Sequence, residues 1–424
     1  MIALFREKFS ANRQEIIFFF GGQAAGVILS FVLIKLIASA GAVVYGEYIL
    51  ITTLAALAGQ LYYGPLQQGF IRSYYETDSG RSGSVYHRLI SLFLITGAIV
   101  FGVIAILAIG IVIPAGLDLY VPMILLALWF SVSSKFSEFF SGILNAARLR
   151  VFNAVMQTSE KLLSVILVYA LIAYKEISTG TVIIVLSLPL LIAGYIKSRR
   201  TGWRFSLKTD RALLKEKLTK ELLTYSLPFV IWGAAMWLQL NGEKWIINAF
   251  LTPEDVGYYG LMFALTNAFI AIPSNIINDL FLPLIFKNFS AEGGDRKRGE
   301  FYITMSVVSV LLLSAAAFLV FSFAGDWLIT FLSTAEYTRY ASLLPWLAAG
   351  SGLFYAGQAL CNKGLAYNRP HLYLYPKVIS GIVSVILYYY FIQIYGMTGI
   401  IAASVFTGLL YFLLVLIANR KLAA

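Results

Sequence analysis

Long apolar segments alternate with short polar connections along the whole chain. A helix needs about 20 consecutive apolar residues to cross the hydrocarbon core of a bilayer. The pattern therefore predicts an all-α polytopic membrane protein with about twelve transmembrane helices and no water-soluble domain of useful size. The predicted helices span residues 16–38, 47–70, 89–112, 120–146, 152–173, 180–196, 221–250, 256–286, 301–324, 340–361, 372–394 and 397–418.

Basic residues collect in alternate connections between these helices. Lys and Arg are concentrated before the first helix, at the end of the chain and at 71–88, 147–150, 197–220, 287–300 and 362–377. The intervening connections are mainly acidic, as at Asp118, Glu254 and Asp326. Because cytoplasmic loops carry an excess of Lys and Arg, this asymmetry predicts that both termini are cytoplasmic. The first apolar run is long enough to span, so we expect it to remain as a helix and not to be removed as a signal peptide.

The densest basic segment lies near the middle of the chain and leaves six predicted helices on either side. We therefore predict a first six-helix bundle at 1–198, a cytoplasmic basic linker at 199–220 and a second six-helix bundle at 221–424. Because six is even, both bundles start from the same face, and any internal symmetry is a parallel repeat about an axis along the membrane normal. A sequence echo supports the repeat, since Gly-x-Tyr begins at Gly46 and again at Gly257, near the second helix of each half.

Composition excludes several classes of function. Apolar residues make up 59% of the chain and charged residues 12%, which is typical of a membrane protein. The net charge of +11 is explained by helix orientation and by contact with anionic headgroups, so we expect no nucleic-acid partner. The single cysteine, Cys361, cannot form an intramolecular disulfide. His87 and His371 are too few for a metal cluster, and we expect neither a metal nor a cofactor.

Charged residues inside the predicted helices are the candidate functional groups. An ionised side chain at membrane depth costs about 2.5–3.5 kcal/mol on insertion scales, so each one requires a partner or a water-filled cavity. Eight such residues occur, four basic and four acidic. They are Lys35, Lys135, Glu138, Glu160, Lys161, Glu243, Lys244 and Asp279.

The spacing of these charges predicts how they are neutralised. Lys135 and Glu138 are three residues apart, so they share a helix face and are positioned to pair. The charges at 160–161 and at 243–244 are consecutive and project about 100° apart on a helix. We therefore expect each of these four residues to find its partner on another helix or in water.

Lys35 and Lys244 occupy similar positions in the two halves. Lys35 lies eleven residues before Gly46, and Lys244 lies thirteen residues before Gly257. One interpretation is a cationic cavity for an anionic headgroup, because ammonium groups attract phosphate strongly in a medium of low dielectric constant. The other is that both side chains extend to the membrane interface. The sequence leaves both interpretations open.

Three short motifs near the start of the second half resemble those of a known family. They are Tyr225-Ser226-Leu227-Pro228, then Glu243-Lys244-Trp245-Ile246-Ile247, then Val256-Gly257-Tyr258-Tyr259. Members of the polysaccharide transporter (oligosaccharide flippase) family typically show Tyr-x-Leu-Pro, Asp-Arg-aromatic-Ile-Leu and Val-Gly-x-Tyr, and the chain resembles that family. It departs from the pattern at Glu243-Lys244, where Lys supplies a point charge in place of the planar fork of Arg.

The resemblance implies the fold of the multidrug, oligosaccharidyl-lipid and polysaccharide exporter superfamily, with two six-helix bundles around a central cavity. It implies a flippase of the bacterial cytoplasmic (inner) membrane that moves prenyl-pyrophosphate-linked oligosaccharide units from the inner to the outer leaflet by alternating access. Such units supply O-antigen (lipopolysaccharide), capsule or exopolysaccharide assembly, where a polymerase or other assembly proteins are the expected partners.

The resemblance also suggests roles for the intramembrane charges. Lys35 and Lys244 would hold the pyrophosphate or acidic sugars, and Lys135 and Lys161 would extend the same basic surface. The acidic residues would pair with these lysines or carry a coupling proton or sodium ion. These acidic residues are Glu138, Glu160, Glu243 and Asp279.

Three other functions compete with this interpretation. A cation-coupled multidrug or small-molecule exporter would share the fold, although a pocket for cationic drugs favours acidic over basic residues. A polysaccharide polymerase or ligase usually carries a long external loop with catalytic basic residues, whereas the predicted external connections here are short and nearly lack Arg and His. We therefore expect a transporter and not an enzyme. A receptor without transport is disfavoured by the two similar halves and the charges within them.

Overall fold

The structure is a computed structural model that describes residues 13–74, 81–118, 120–206, 217–289, 295–420 and 422. These residues form helices and short connections, with no strand among them. Six helices make up the first half of the described chain. They are α1 (Arg13–Ala38), α2 (Ala42–Ala58, continuing as Gly64–Ser73), α3 (Arg81–Val112), α4 (Tyr120–Ala146), α5 (Arg150–Ala173) and α6 (Thr179–Arg200).

The second half continues with long helices. They are α7 (Lys217–Phe250), α8 (Pro253–Thr266, continuing as Ile272–Phe289), α9 (Arg296–Leu332), α10 (Leu344–Ala366) and α11 (Leu374–Arg420). Short 3₁₀ segments at Ala335–Leu343 and Pro370–Tyr373 precede the last two helices. Parts of the predicted cytoplasmic connections lie outside the described residues, namely 1–12, 75–80, 207–216 and 290–294.

The helices confirm the predicted transmembrane pattern. Nine helical segments within the described ranges are long and apolar enough to cross a membrane, and α1 and α10 correspond to two further predicted helices. The last of the nine, Pro370–Arg420, contains two predicted helices. They meet at Gly396, where φ is 57° and ψ is −136°. Positive φ carries little cost only for glycine, so this residue allows the chain to break and restart.

The second helix of each half contains a π turn at an equivalent place. In α2 the turn is Gly59–Tyr63, and in α8 it is Asn267–Ala271. Each turn ends two residues before a proline, Pro65 or Pro273. Proline donates no backbone hydrogen bond and crowds the carbonyl four residues earlier, which loosens the preceding turn. The same irregular turn therefore occurs before a proline in both helices.

The chain divides into two compact units. The first comprises residues up to Ala40 and Glu47–Ala234, and the second comprises Gly41–Gly46 and the chain from Ala235 onward. Residues 41–46 belong to the second unit because they pack against the first turn of α8. A Cβ atom on Gly46 would lie 1.8 Å from the Pro253 carbonyl oxygen, and one on Gly257 would lie 2.2 Å from the Ala42 carbonyl oxygen. The glycines of the sequence echo thus allow two backbones to touch.

Within the first unit, α4 packs against α6 and α1 packs against α5. An aromatic core fills the end of the unit near the end of α2, where the Tyr86 hydroxyl donates to the Phe70 carbonyl at 2.9 Å. Close contact between α2 and α7 depends on Gly69 and Gly233. A Cβ atom on Gly233 would lie only 2.1 Å from the Gln60 carbonyl oxygen. These contacts hold the end of α2 firmly against α7.

Within the second unit, α10 lies between α9 and α11. A Cβ atom on Gly408 would lie 2.3 Å from the Gly350 carbonyl oxygen, so this crossing is also close. The Tyr340 hydroxyl donates to Asp255 at 2.9 Å. Burial, together with this hydrogen bond, raises the pKa of Tyr340 to about 12. The phenol therefore stays protonated and joins the 3₁₀ segment to the first turn of α8.

Candidate functional site

A buried polar cluster joins α4, α5 and α6 in the first unit. The Lys197 ammonium lies 3.2 Å from Glu160 Oε2 and donates to Ser137 Oγ at 2.8 Å. Ser137 Oγ in turn donates to the same carboxylate oxygen at 2.9 Å. Lys197 is only 1% exposed. Burial of an unpaired ammonium is costly, and Lys197 avoids this cost by pairing with Glu160. Because Ser137 contacts the same carboxylate, the cluster joins three helices.

Lys197 was missed by sequence reasoning, which counted it among the basic residues of the connection at 197–220. The structure corrects this assignment, because α6 continues to Arg200 and Lys197 lies inside the helix. The exposed neighbours Arg199 and Arg200 resemble an ordinary cytoplasmic helix end. Helical spacing separates Lys197 from Arg199, which projects from the opposite face, but not from Arg200, which is three residues away on the same face.

Lys161 has partners on a different helix from those of its neighbour Glu160. Its ammonium donates to the Gly26 carbonyl at 3.0 Å and to Ser30 Oγ at 2.9 Å, both on α1. The consecutive charges at 160–161 are thus satisfied by separate helices, as their angular separation predicts. Lys161 is half-buried, and its ammonium lies against α1.

Lys135 and Glu138 form the ion pair that their spacing predicts. Lys135 packs against the π turn of α2, because a Cβ atom on Gly59 would lie 2.4 Å from Lys135 Cε. The Glu138 side chain is 58% exposed and that of Lys135 is 16% exposed. Lys35 is exposed in the last turn of α1. The first unit therefore carries both exposed and buried lysines.

Glu243 and Lys244 lie together in the interior of the second unit, where they are 1% and 2% exposed. The Lys244 ammonium lies 2.8 Å from Glu243 Oε1 and donates to the Leu240 carbonyl at 2.7 Å. It also lies 3.9 Å from the centroid of the Phe263 ring. The expected partner on another helix is present at Glu243, which accepts a hydrogen bond from the Tyr259 hydroxyl of α8 at 3.3 Å, but the two consecutive charges also neutralise each other, which the sequence did not predict. Both side chains are long enough to curl toward each other across the 100° separation.

A cavity of about 200 Å³ lies beside this pair. Glu243, Gln239 and Asn241 of α7 line it, together with Tyr259 and Tyr388 from α8 and α11. Among the described residues, Glu243 Oε2 and Gln239 Oε1 are buried acceptors without a hydrogen-bond partner. Acceptor oxygens around a small polar cavity are suited to a proton or a small cation.

Asp279 and Lys377 differ in exposure. Asp279 is exposed on α8, unlike the buried Glu243–Lys244 pair. Lys377, which sequence reasoning placed among cytoplasmic basic residues, is fully buried in α11. Its ammonium lies 4.3 Å from the centroid of the Phe354 ring and 4.9 Å from that of Tyr411. Stacking on two aromatic faces provides partial compensation for its burial.

Several solved structures share this fold. An inward-facing multidrug resistance MATE family transporter of the MOP superfamily matches with a TM-score of 0.69 at 12% identity, covering 94% of each chain. The lipid II flippase MurJ in an inward closed conformation matches with a TM-score of 0.68 at 15% identity, covering 95% of this chain and 87% of the other. A MOP superfamily transporter from Pyrococcus furiosus matches with a TM-score of 0.61 at 14% identity, covering 96% and 94%.

Sequence comparison supplies the family. No curated protein matches the sequence as a relative. The profile of one family, described as polysaccharide biosynthesis protein, matches residues 13–289. This range is well over half of the chain and extends from α1 through α8. The chain, with the fold of the MOP superfamily, therefore belongs to the polysaccharide biosynthesis protein family.

Proposed function

We propose that this protein is a flippase that moves a prenyl-pyrophosphate-linked oligosaccharide from the inner to the outer leaflet of the bacterial cytoplasmic membrane. The observation that carries the proposal is the family match across α1 to α8 on a MOP superfamily fold. The lipid II flippase MurJ has a related fold, and lipid II is also a lipid-linked substrate. Transport accounts for long apolar helices with charges at membrane depth, and we assign no catalytic role to any residue.

The lysines of the first unit are the proposed contacts for the anionic part of the substrate. Lys35 is exposed, and Lys135 and Lys161 each retain some exposure while being held by neighbouring helices. An ammonium group that is already positioned loses little side-chain freedom when it binds phosphate. Lys244 contributes positive potential from a buried position, where Glu243 and the Leu240 carbonyl already hold it.

The Glu243 cavity is the proposed coupling site. A proton or sodium ion that enters it would reach a carboxylate oxygen that the Lys244 ammonium does not occupy. Either cation would compete with Lys244 for the carboxylate and weaken the ion pair. That competition would link cation binding to the packing of α7 against α8 and α11, and hence to alternating access. Glu160, Glu138 and Asp279 are assigned as charge partners or surface acids.

A cation-coupled multidrug or small-molecule exporter is the second candidate. The similarity in fold to a multidrug resistance MATE family transporter favours it. The four lysines among the eight intramembrane charges do not, because a pocket for cationic drugs favours acidic residues. Such an exporter would need no lipid-linked substrate. The two candidates therefore predict different lipid contents in cells that lack the protein.

Mass spectrometry of lipid extracts from cells with and without the gene tests the proposal. We expect a complete prenyl-pyrophosphate-linked repeat unit to accumulate on loss of the gene, protected from a membrane-impermeant periplasmic probe. The control is the same strain carrying the gene on a plasmid, which should restore the normal lipid content. No accumulation in cells that demonstrably make the lipid-linked unit would reject the flippase and favour the small-molecule exporter. If the proposal holds, the polymerase and other assembly proteins are expected partners at the outer leaflet.

A further inference from the structure

A second cavity, of about 670 Å³, lies in the first unit where the end of α2 meets the first turns of α7. Arg72 of α2 lines one side, and Lys220, Thr224 and Tyr225 of α7 line the other. Pro228 and Phe229 add an apolar wall further along α7. The positive charge of the flanking connections predicts that this end of both helices is cytoplasmic. None of these residues was a sequence candidate for substrate binding.

The walls of this cavity are held by close helix packing. A Cβ atom on Gly69 would lie 2.6 Å from Ser226 Oγ and 3.0 Å from a side-chain carbon of Leu222. Leu222 is itself buried in the aromatic core with Phe70. A larger residue at position 69 would push α2 and α7 apart. The close crossing at Gly69 therefore fixes the separation of the two backbones that carry Arg72 and Lys220.

The cavity combines the groups that recognise a phosphorylated lipid. The Arg72 guanidinium carbon lies 4.4 Å from the centroid of the Tyr225 ring, so a cation–π contact holds the guanidinium beside the ring. The planar fork of a guanidinium binds two phosphate oxygens at once. Lys220 is exposed and supplies a second cation. Glu221 also lines the cavity and leaves the lining with a net positive charge.

We infer that this cavity binds the diphosphate head of a prenyl-linked substrate before translocation. The inference rests on the proposed flippase function and adds to it a binding site distinct from the intramembrane lysines. Two cations suit a diphosphate, whereas a phospholipid diester carries a single negative charge on its phosphate. A volume of about 670 Å³ exceeds that of a diphosphate alone and accommodates the first isoprene or sugar unit. Pro228, Phe229 and the exposed Leu227 provide apolar contact for the lipid.

Binding of farnesyl diphosphate to the purified full-length protein in phosphatidylcholine nanodiscs tests the inference. We expect Arg72→Gln to weaken binding at least about tenfold, since a charge-assisted bidentate contact is lost. Arg72→Lys should retain part of the affinity because it keeps the charge and loses only the fork. Lys220→Gln should also weaken binding. Arg199→Gln is the matched control, because it removes another exposed basic residue from the same face and should leave the affinity unchanged.

The inference fails if Arg72→Gln binds farnesyl diphosphate as well as the unaltered protein does, or if Arg199→Gln weakens binding equally. It also fails if phosphatidylglycerol in the nanodiscs displaces farnesyl diphosphate completely, which would identify a phospholipid headgroup site. Unchanged thermal unfolding of Arg72→Lys guards against a folding defect. The lipid-extract experiment is independent of Arg72. Accumulation of the lipid-linked unit together with Arg72-independent binding would reject this site alone, and Arg72-dependent binding without accumulation would reject the flippase.

Discussion

The two units contain similar charges and satisfy them in different ways. In the first unit, Glu160 is held by Lys197 from another helix, and Lys35 remains exposed. In the second unit, Glu243 and Lys244 are neighbours on α7 that pair with each other in the interior. Lys35 and Lys244, which sequence spacing treats as equivalent, therefore lie in opposite environments. Helix positions repeat between the halves, whereas the surroundings of each charge do not.

Under the proposed function, this difference gives the two units different roles in transport. An exposed lysine can contact a substrate phosphate with little change in the surrounding structure. A buried pair changes state only when a proton or cation competes for the carboxylate. The first unit would thus supply substrate contacts and the second would supply coupling. Substitution of the charged residues in each unit tests whether the two environments behave as differently as their geometry indicates.

Lys244→Ala should have the largest effect on stability. It leaves the Glu243 carboxylate buried without its cation, and breaking a buried ion pair in this way costs about 3–5 kcal/mol. Thermal or denaturant unfolding in detergent measures the change. Lys35→Ala is the matched control, with an expected change below about 0.5 kcal/mol for an exposed residue. The double variant Glu243→Gln, Lys244→Met should recover most of the loss, and equal stability of Lys244→Ala and Lys35→Ala would remove the distinction between the units.

Lys35→Ala should instead reduce transport. Loss of a charged hydrogen bond to phosphate, worth about 1.5–3 kcal/mol, corresponds to a ten- to hundredfold decrease in export. The measurement is outer-leaflet appearance of the lipid-linked unit in cells with matched protein levels. Lys175→Ala is the control, since Lys175 is an exposed lysine in the connection after α5. Normal export by Lys35→Ala would assign this lysine to the membrane interface.

Lys197→Ala should destabilise the first unit by about 1–3 kcal/mol, less than the change at Lys244. The Glu160 side chain is 15% exposed and keeps the hydrogen bond from Ser137, so water and a hydroxyl partly replace the ammonium. Unfolding in the same detergent provides the comparison. Exposed Arg199→Ala in the same helix serves as the control. A loss as large as that of Lys244→Ala would show that the two clusters are equally closed to water.

Glu138→Gln should have the smallest effect, about 0.2–1 kcal/mol. The carboxylate is largely exposed, and its ion pair with Lys135 is within one helix. Denaturant unfolding of the variant, with Glu160→Gln as the buried counterpart, measures the difference. A change above 2 kcal/mol at Glu138 would contradict the assignment of this pair to an exposed surface.

Helix order and several local features follow directly from the sequence. Apolar length predicts where each helix lies, and the three-residue spacing of Lys135 and Glu138 predicts their pairing. The charge pattern groups Lys197 and Lys377 with the basic residues of cytoplasmic connections, although Lys377 also falls inside the predicted helix 372–394, and it does not indicate that either side chain is buried. Their burial depends on which neighbouring helix lies opposite, and no local pattern contains that information. The shared cavity of Arg72 and Lys220 is not predicted either, because residues so far apart in the chain become neighbours only through the crossing at Gly69.

By itself, the sequence determined an all-helical membrane protein, the positions of its spans, the likeness between its halves and its family motifs. These properties depend on hydrophobicity and short spacings, which act within one helix or between a helix and the lipid. Only the tertiary structure decided that Lys244 is buried and Lys35 exposed, that Lys197 serves Glu160, and that Arg72 stacks on Tyr225. The fate of a charge inside a membrane protein depends on the groups that other helices place within a few ångströms of it.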